Sequence, residues 1–447
     1  MKKVITYGTF DLFHYGHQRL LERAKALGDV LIVGVTADGF DRARGKINVQ
    51  QSLMERMEAV KATGIADEVI VEEYEGQKID DIHRYGVDIF AIGSDWKGYF
   101  DYLKEYCQVV YLDRTEGVSS SDLRAEKREV HIGLVGESLF LNKFERESRF
   151  VNGVIIKGLC APSAIVDGLS DELKALPCIT NDYETMLSEV DAVYILSTPT
   201  DHYRQIKTAL MHGKHVLCEP PMALSVKEWQ ELNDLAKEKS CVLMDAIRTA
   251  YSTAYYRLLL LVKSGRIGKV ISVDASCTSL RDNDISSDEK KEKWNSICSW
   301  GPNALLPVFQ LLGVGYLQKS IVSRVEDKNT MYDSFTKIDF VYPNAVASIK
   351  VGKGVKTEGE LVVSGTNGYV YVPAPWWKTD YFEIRREDPS MNKRYFYQLD
   401  GEGIRYELVS FLKAIKDGKN YLYIDDNVSK AFVEVIEDYY KGKLRII

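Results

Sequence analysis

Apolar positions in the first 128 residues cluster in short β-branched runs at 4–10, 30–37, 68–72, 89–93 and 109–112. Between them, at 16–27, 50–63, 77–85 and 100–106, apolar residues recur three and four apart, the spacing of one helix face. Strands separated by helices of about 10–15 residues predict a parallel, doubly wound sheet. A charged stretch, 124–129 (RAEKRE), reads as a helix end and linker. A second alternation begins at Val130, with strands expected at 130–135, 153–160, 192–197, 214–218 and 241–245. Beyond residue 265 the pattern changes to long β-rich runs at 269–279, 319–327, 333–342, 345–352, 359–364, 368–373, 380–386 and 394–399. These predict a large open antiparallel sheet. Amphipathic stretches at 403–417 and 426–440 predict two helices that pack back on the preceding domains. The fold class is α/β: a Rossmann-like domain at 1–128, a second Rossmann-type domain at 129–245, and an open-sheet α+β domain at 246–447.

Length supports more than one core, since 447 residues exceed what a single core usually serves. Hydrophobic content of 45% and charged content of 28% suit a soluble globular chain. A net charge of −7 gives no footprint for nucleic acid or an anionic membrane, so an anionic substrate must be held by local groups. The seven cysteines lack CxxC spacing, which suits reduced thiols in a cytoplasmic protein rather than zinc or disulfides. No signal peptide or membrane span is expected from the apolar runs.

The candidate chemistry sits at two turns of the first domain. Residues 6–17, TYGTFDLFHYGH, place His14 and His17 three apart where a strand gives way to a helix, so both imidazoles face the same way. The helix N-terminus adds free N–H groups and partial positive charge, which suits an anion. Gly8 and Gly16 let backbone approach a ligand closely. The second turn, 114–121 (RTEGVSSS), follows the last strand. Arg114 offers a fork of donors, and Ser119–Ser121 offer hydroxyls at another helix start. Both turns follow strand C-terminal ends, where open α/β sheets bind ligands.

These motifs resemble the glycerol-3-phosphate cytidylyltransferases within the wider HxGH nucleotidyltransferases. The likeness rests on YGTFDLFHYGH (7–17), LLERAKALGD (20–29), GSDW (93–96) with the KGYFDYLK that follows, and VVYLDRTEGVSSS (109–121). It implies coupling of CTP to a small phosphoalcohol, with Mg²⁺, to give a CDP-alcohol and pyrophosphate. It also implies that His14 and His17 stabilise the transition state and that Thr9, Phe10 and Asp11 line the nucleotide site. Arg114 and Thr115 would contact cytosine or phosphates, Ser119 the triphosphate, and Lys46 and Arg56 substrate and nucleotide phosphates. Asp95 and Trp96 would wall the pocket after the fourth strand. The acceptor stays open among glycerol phosphates, longer polyol phosphates and phosphoethanolamine, and adenylyl transfer is the alternative chemistry.

The second half resembles the Gfo/Idh/MocA oxidoreductases, in DAVYILSTPTDHY (191–203), ALMHGKHVLCEPPMALS (209–225) and SGRIGKVISVDAS (264–276). Four functional positions depart from that pattern. The glycine fingerprint falls on Gly136, Ser138 and Leu141, and the ribose-holding acid on Ala161. The lysine of Glu-Lys-Pro falls on Pro220, and the Asp-x-x-x-His pair on Pro307 and Leu311. Proline and leucine exchange no proton. The expectation is a non-catalytic, oligomerising region without NAD(P), in a homodimer or higher homo-oligomer. A bifunctional transferase and reductase, and a ligand-sensing regulatory region, are the alternatives.

Overall fold

The computed structural model describes residues 1–37, 49, 51, 53–73, 76–113, 129–151, 153–280, 294–397, 399–417 and 422–447. The chain forms two compact units, Met1–Glu129 and Val130–Ile447.

The first unit carries a five-stranded parallel sheet in the order β3-β2-β1-β4-β5. Its strands are β1 (Lys3–Gly8), β2 (Val30–Thr36), β3 (Glu68–Glu72), β4 (Ile89–Gly93) and β5 (Gln108–Leu112). Helices α1 (Tyr15–Lys25), α2 (Leu53–Ala62) and α3 (Gln77–Tyr85) cover it. A sheet covered on both faces needs apolar residues at successive positions, which explains the unbroken runs in the sequence. Val4, Leu31, Val33 and Ile89 face one core with Leu21 and Val60. Ile5, Ile32, Phe90 and Ile92 face the other with Phe100 and Leu103. Gly34 lets the two central strands share a large ring, since a Cβ there would lie 2.2 Å from the Tyr7 side chain. The segment expected as a helix at 100–106 is instead a short 3₁₀ turn, Asp101–Glu105.

The second unit opens with a six-stranded parallel sheet, order β11-β10-β9-β6-β7-β8. Its strands are β6 (Val130–Gly136), β7 (Val154–Cys160), β8 (Cys178–Thr180), β9 (Ala192–Leu196), β10 (His215–Cys218) and β11 (Leu243–Asp245). β8 was not expected: three residues at a sheet edge carry too little pattern to read. A nine-stranded sheet follows, from β12 (Val270–Ser279) to β19 (Lys393–Phe396) with the short β20 (Arg445–Ile446) at its far edge. It is mixed and not purely antiparallel, because β12 pairs in parallel with β15 (Val346–Lys353). The helix Ser296–Leu312 lies against this sheet, and the closing helices Ile404–Asp417 and Asp426–Tyr440 fall where the periodicity predicted them.

Asp245 ends β11 in a fully buried position, where desolvation lifts its carboxyl to about 7 against a hydrogen bond from Ser429. The folded-state value lies above the unfolded one. The penalty is therefore absent below about pH 4, where both states are protonated, and grows as pH rises toward 7. Asp245→Asn is expected to raise the melting temperature of the second unit at pH 8 and to leave it nearly unchanged at pH 4. Calorimetric scans at the two pH values check this; equal shifts at both would remove titration as the cause.

Candidate active site

β1 ends at Gly8, and the chain makes a tight loop before α1 opens at Tyr15. Phe10 and Leu12 adopt left-handed backbone angles, φ 53° and 48°, which cost a residue with a side chain on the order of 1–3 kcal/mol each. The surroundings hold this loop in place. The Gln51 side chain accepts from the Leu12 N–H at 2.8 Å, and the Gln51 N–H donates to Asp11 Oδ1 at 3.0 Å. Arg56, fully buried, donates from Nη1 to the carbonyls of Thr9 (2.7 Å) and Thr36 (2.8 Å). Its Nε donates to the Gln51 carbonyl at 3.2 Å. One guanidinium thus ties the loop after β1 to the end of β2 and to the approach to α2.

The two histidines begin α1. His14 is the N-cap, and its Nδ1 accepts the Gly16 N–H at 3.0 Å. With Nδ1 accepting, the proton of the neutral ring resides on Nε2, which is then a donor. The His17 ring stacks on it, centroids 3.9 Å apart and planes 23° apart. Phe10 and Phe13 pack against His17, each with centroids 5.5 Å away. This pair stands at the carboxyl end of the central strand, beside the point where strand order reverses. β1 pairs with β4, Ile5 opposite Phe90, so three residues further on Gly8 and Gly93 leave the sheet at one level. The turn Ser94–Trp96 follows, its indole packed on Tyr99 and Phe100 at 5.5 and 5.7 Å.

The structure therefore brings together Thr9, Phe10, Asp11, His14 and His17, with Trp96 at the exit of the neighbouring strand. It also gives three of the expected site residues structural contacts. Phe10 is 2% exposed and Asp11 1% exposed, so one ring supports His17 and one carboxylate holds Gln51. Arg56, which the resemblance gave to phosphate neutralisation, spends its described hydrogen bonds on backbone carbonyls. Lys46, Arg114, Thr115 and Ser119 lie outside the described residues, as does the side chain of Asp95. Gln51 went unnoticed in the sequence because a single polar residue before a helix carries no periodic signal. Also unread was a buried polar group beside the strand ends: Thr36 donates to Glu72 at 2.8 Å, Lys78 pairs with Glu72, and Tyr7 donates to Asp81 at 2.8 Å. Burial, reinforced by Asp81, raises the Tyr7 phenol well above its ordinary range.

Residues 5–126 match the cytidylyltransferase-like family model. The glycerol-3-phosphate cytidylyltransferase of Bacillus spizizenii is 52% identical over 126 residues, 28% of this chain and 97% of that enzyme. The chain belongs to this cytidylyltransferase family. The glycerol-3-phosphate cytidylyltransferase of Staphylococcus aureus is 45% identical over 126 residues, 28% of this chain and 95% of its own length. The chain is thus a nucleotidyltransferase, and its cytidylyltransferase unit is nearly coextensive with those relatives.

Residues 160–246 match the model of the oxidoreductase family with an NAD-binding Rossmann fold. KijD10, a 3-ketoreductase from Actinomadura kijaniata, superposes with a TM-score of 0.62 at 15% identity, covering 72% of this chain and 99% of that one. At that identity the likeness is one of fold. The positions at which this cytidylyltransferase departs from the oxidoreductase pattern have definite places. Gly136 ends β6 at φ 145°, where a Cβ would meet the Leu196 carbonyl oxygen at 2.3 Å. The Ser138 hydroxyl accepts the Phe140 N–H at 3.1 Å, and Leu141 is fully buried in the helix Phe140–Ser148. Ala161 follows β7, buried. Pro307 is buried inside the helix Ser296–Leu312, which also holds Leu311. His202 is fully buried with its two ring nitrogens 2.8 and 2.9 Å from the carbonyl oxygens of Pro221 and Ser197, which gives the segment 200–203 a structural task. No helix among the described residues is long and apolar enough to cross a membrane.

Proposed function

We propose that the first unit transfers the cytidylyl group of CTP to glycerol phosphate or a closely similar polyol phosphate, and that residues 130–447 form a non-redox region that supports assembly. The stacked His14–His17 pair at the N-terminus of α1 carries the first part. A phosphate oxygen of the acceptor attacks the α-phosphorus of CTP. The new P–O bond forms as the bond to the bridging oxygen breaks, and pyrophosphate leaves. Negative charge grows on the α-phosphoryl and leaving oxygens, and donors fixed in advance at those points lower the barrier without a covalent step. His14 Nε2 and the His17 ring, held by the Gly16 N–H and by Phe10 and Phe13, supply such donors. Arg114, Thr115, Ser119 and Lys46 complete the anion site in this reading, and Asp95 and Trp96 its base-side wall. Mg²⁺ bound to CTP would be held mainly by the triphosphate and would neutralise charge on its oxygens. Among the described residues no three metal-ligating side chains cluster into a site that would bind it alone.

For the second unit, the residues present do not fit a nicotinamide dinucleotide. The Phe140 N–H at the helix start, of the kind that binds a pyrophosphate, is taken by Ser138. Ala161 offers the ribose hydroxyls no acceptor, and Pro220, Pro307 and Leu311 carry no transferable proton. Leaving such ligand groups desolvated and unpaired costs about 1–3 kcal/mol each, so affinity falls by orders of magnitude. A panel of CTP and ATP with candidate phosphoalcohols, read by pyrophosphate release in Mg²⁺, tests the first part; turnover with ATP equal to that with CTP would refute it. Calorimetry with NADH and NADPH tests the second, and stoichiometric micromolar binding would restore a reductase. A chain cut after residue 129 should keep some transferase activity and change its oligomeric state, the number of chains per particle read by light scattering.

A further inference from the structure

Two hydrogen bonds bracket the turn that leads into the histidine pair, and both come from one short segment at the start of α2. Phe10 and Leu12 hold left-handed backbone angles, with Asp11 between them. On the near side, the peptide plane joining Thr9 to Phe10 is pinned through its carbonyl by Arg56 Nη1 at 2.7 Å. On the far side, the plane joining Asp11 to Leu12 is pinned through its N–H by the Gln51 side-chain oxygen at 2.8 Å. The Gln51 N–H donates in return to Asp11 Oδ1 at 3.0 Å, and the Gln51 carbonyl accepts Arg56 Nε at 3.2 Å. Left-handed angles in residues with side chains persist only where the surroundings over-determine them. With a plane fixed on either side, Phe10 and Asp11 have no room to relax.

The turn in turn places the Phe10 ring. A Cβ on Gly8 would meet that ring at 3.0 Å, so the ring lies over the end of β1. It also meets the His17 ring edge-on, centroids 5.5 Å apart and planes at 70°. Rotation of the Asp11–Leu12 plane would carry Phe10 with it, and with Phe10 one of the surfaces that sets His17. The two pins differ in burial. Arg56 is fully buried and serves carbonyls beside two strand ends, so the fold depends on it. Gln51 is half-buried, so water can take over the Leu12 N–H when the side chain is changed. The setting of the turn, rather than the stability of the unit, is then what Gln51 controls.

We propose that Gln51 is a positioning residue for nucleotidyl transfer: its side-chain oxygen fixes the Asp11–Leu12 peptide and, through Phe10, holds His17 where charge develops on the phosphoryl oxygens. Gln51 touches no substrate in this role. The proposal rests on the reading that His17 acts in the transition state. The test uses the full-length chain with CTP, glycerol 3-phosphate and Mg²⁺, and compares Gln51→Met and Gln51→Glu with His17→Ala. Methionine keeps the length of the side chain and loses its oxygen acceptor. Displacement of a reacting group by about 1 Å can cost on the order of 10²-fold, so partial loosening in Gln51→Met should lower kcat about tenfold. KM for CTP should change by less than about threefold, because the lost interaction belongs to the transition state. Melting should stay within a few degrees of the wild type. Gln51→Glu keeps the acceptor and should regain most of kcat, while its charge beside an anion site raises KM for CTP. Wild-type kcat in Gln51→Met, or equal loss of kcat in both Gln51 variants, overturns the proposal. A loss in Gln51→Met that vanishes on cooling below a lowered melting transition assigns Gln51 to the fold alone and overturns it too. Full turnover by His17→Ala, or none by the wild type, would instead overturn the reading beneath it.

Discussion

His17→Ala is expected to lower kcat by roughly 10²–10³-fold while CTP affinity changes far less, the signature of losing one preorganised donor to a charge that exists fully only in the transition state. The ring lies between the His14 imidazole and the Phe10 and Phe13 rings, so its position is set before substrate arrives. Truncation leaves the α1 N-cap intact, because that hydrogen bond is made by His14. Folding should therefore survive, and the melting temperature separates a chemical loss from a structural one. Single-turnover rates with CTP in excess, beside CTP binding by calorimetry, give the split. Turnover near the wild-type rate would remove His17 from the reaction.

Arg56→Ala is expected to destabilise the first unit by about 2–6 kcal/mol, because two buried carbonyls lose their donor at a cost of about 1–3 kcal/mol each. That is a large share of the roughly 5–15 kcal/mol that stabilises an ordinary domain. The carbonyls belong to Thr9 and Thr36, one beside the strained histidine loop and one at the end of β2. Loss of the clamp should therefore lower kcat together with the melting temperature. Arg56→Lys separates this from phosphate binding. A lysine keeps the charge but has one nitrogen where the guanidinium uses two, so melting should still fall. If Arg56 instead served a phosphate, Arg56→Lys would raise KM for CTP and leave melting unchanged. Differential scanning calorimetry with steady-state kinetics on both variants decides between the two roles.

Both variants show where sequence reading succeeds and where it stops. Period-2 and period-3.6 patterns are local, so the β1–β5 alternation, the long strands after residue 265 and the two closing helices were all legible before any coordinates. The same holds for the HxxH segment at a strand-to-helix turn, since capping and helix-end charge are decided within a few residues. The helix Ser296–Leu312 was not legible: it is apolar on most positions and holds Pro302 and Pro307, so neither a polar face nor an uninterrupted run marks it. Its burial against the mixed sheet and the last helix sustains it. For Arg56 the sequence offers only the phosphate role that the family resemblance implies. Only the fold brings the carbonyls of Thr9 and Thr36 to it, from 47 and 20 residues away. The convergence of Lys143, Arg248 and Lys378 on Glu402 is of the same kind. By itself the sequence determined most element types, the order of the two units and, through its motifs, the transferase class, because those follow from short-range pattern and motif. The tertiary structure alone decided which charges meet, because a charge's partner, and so its role, depends on which distant segments the folded chain brings within a few ångströms.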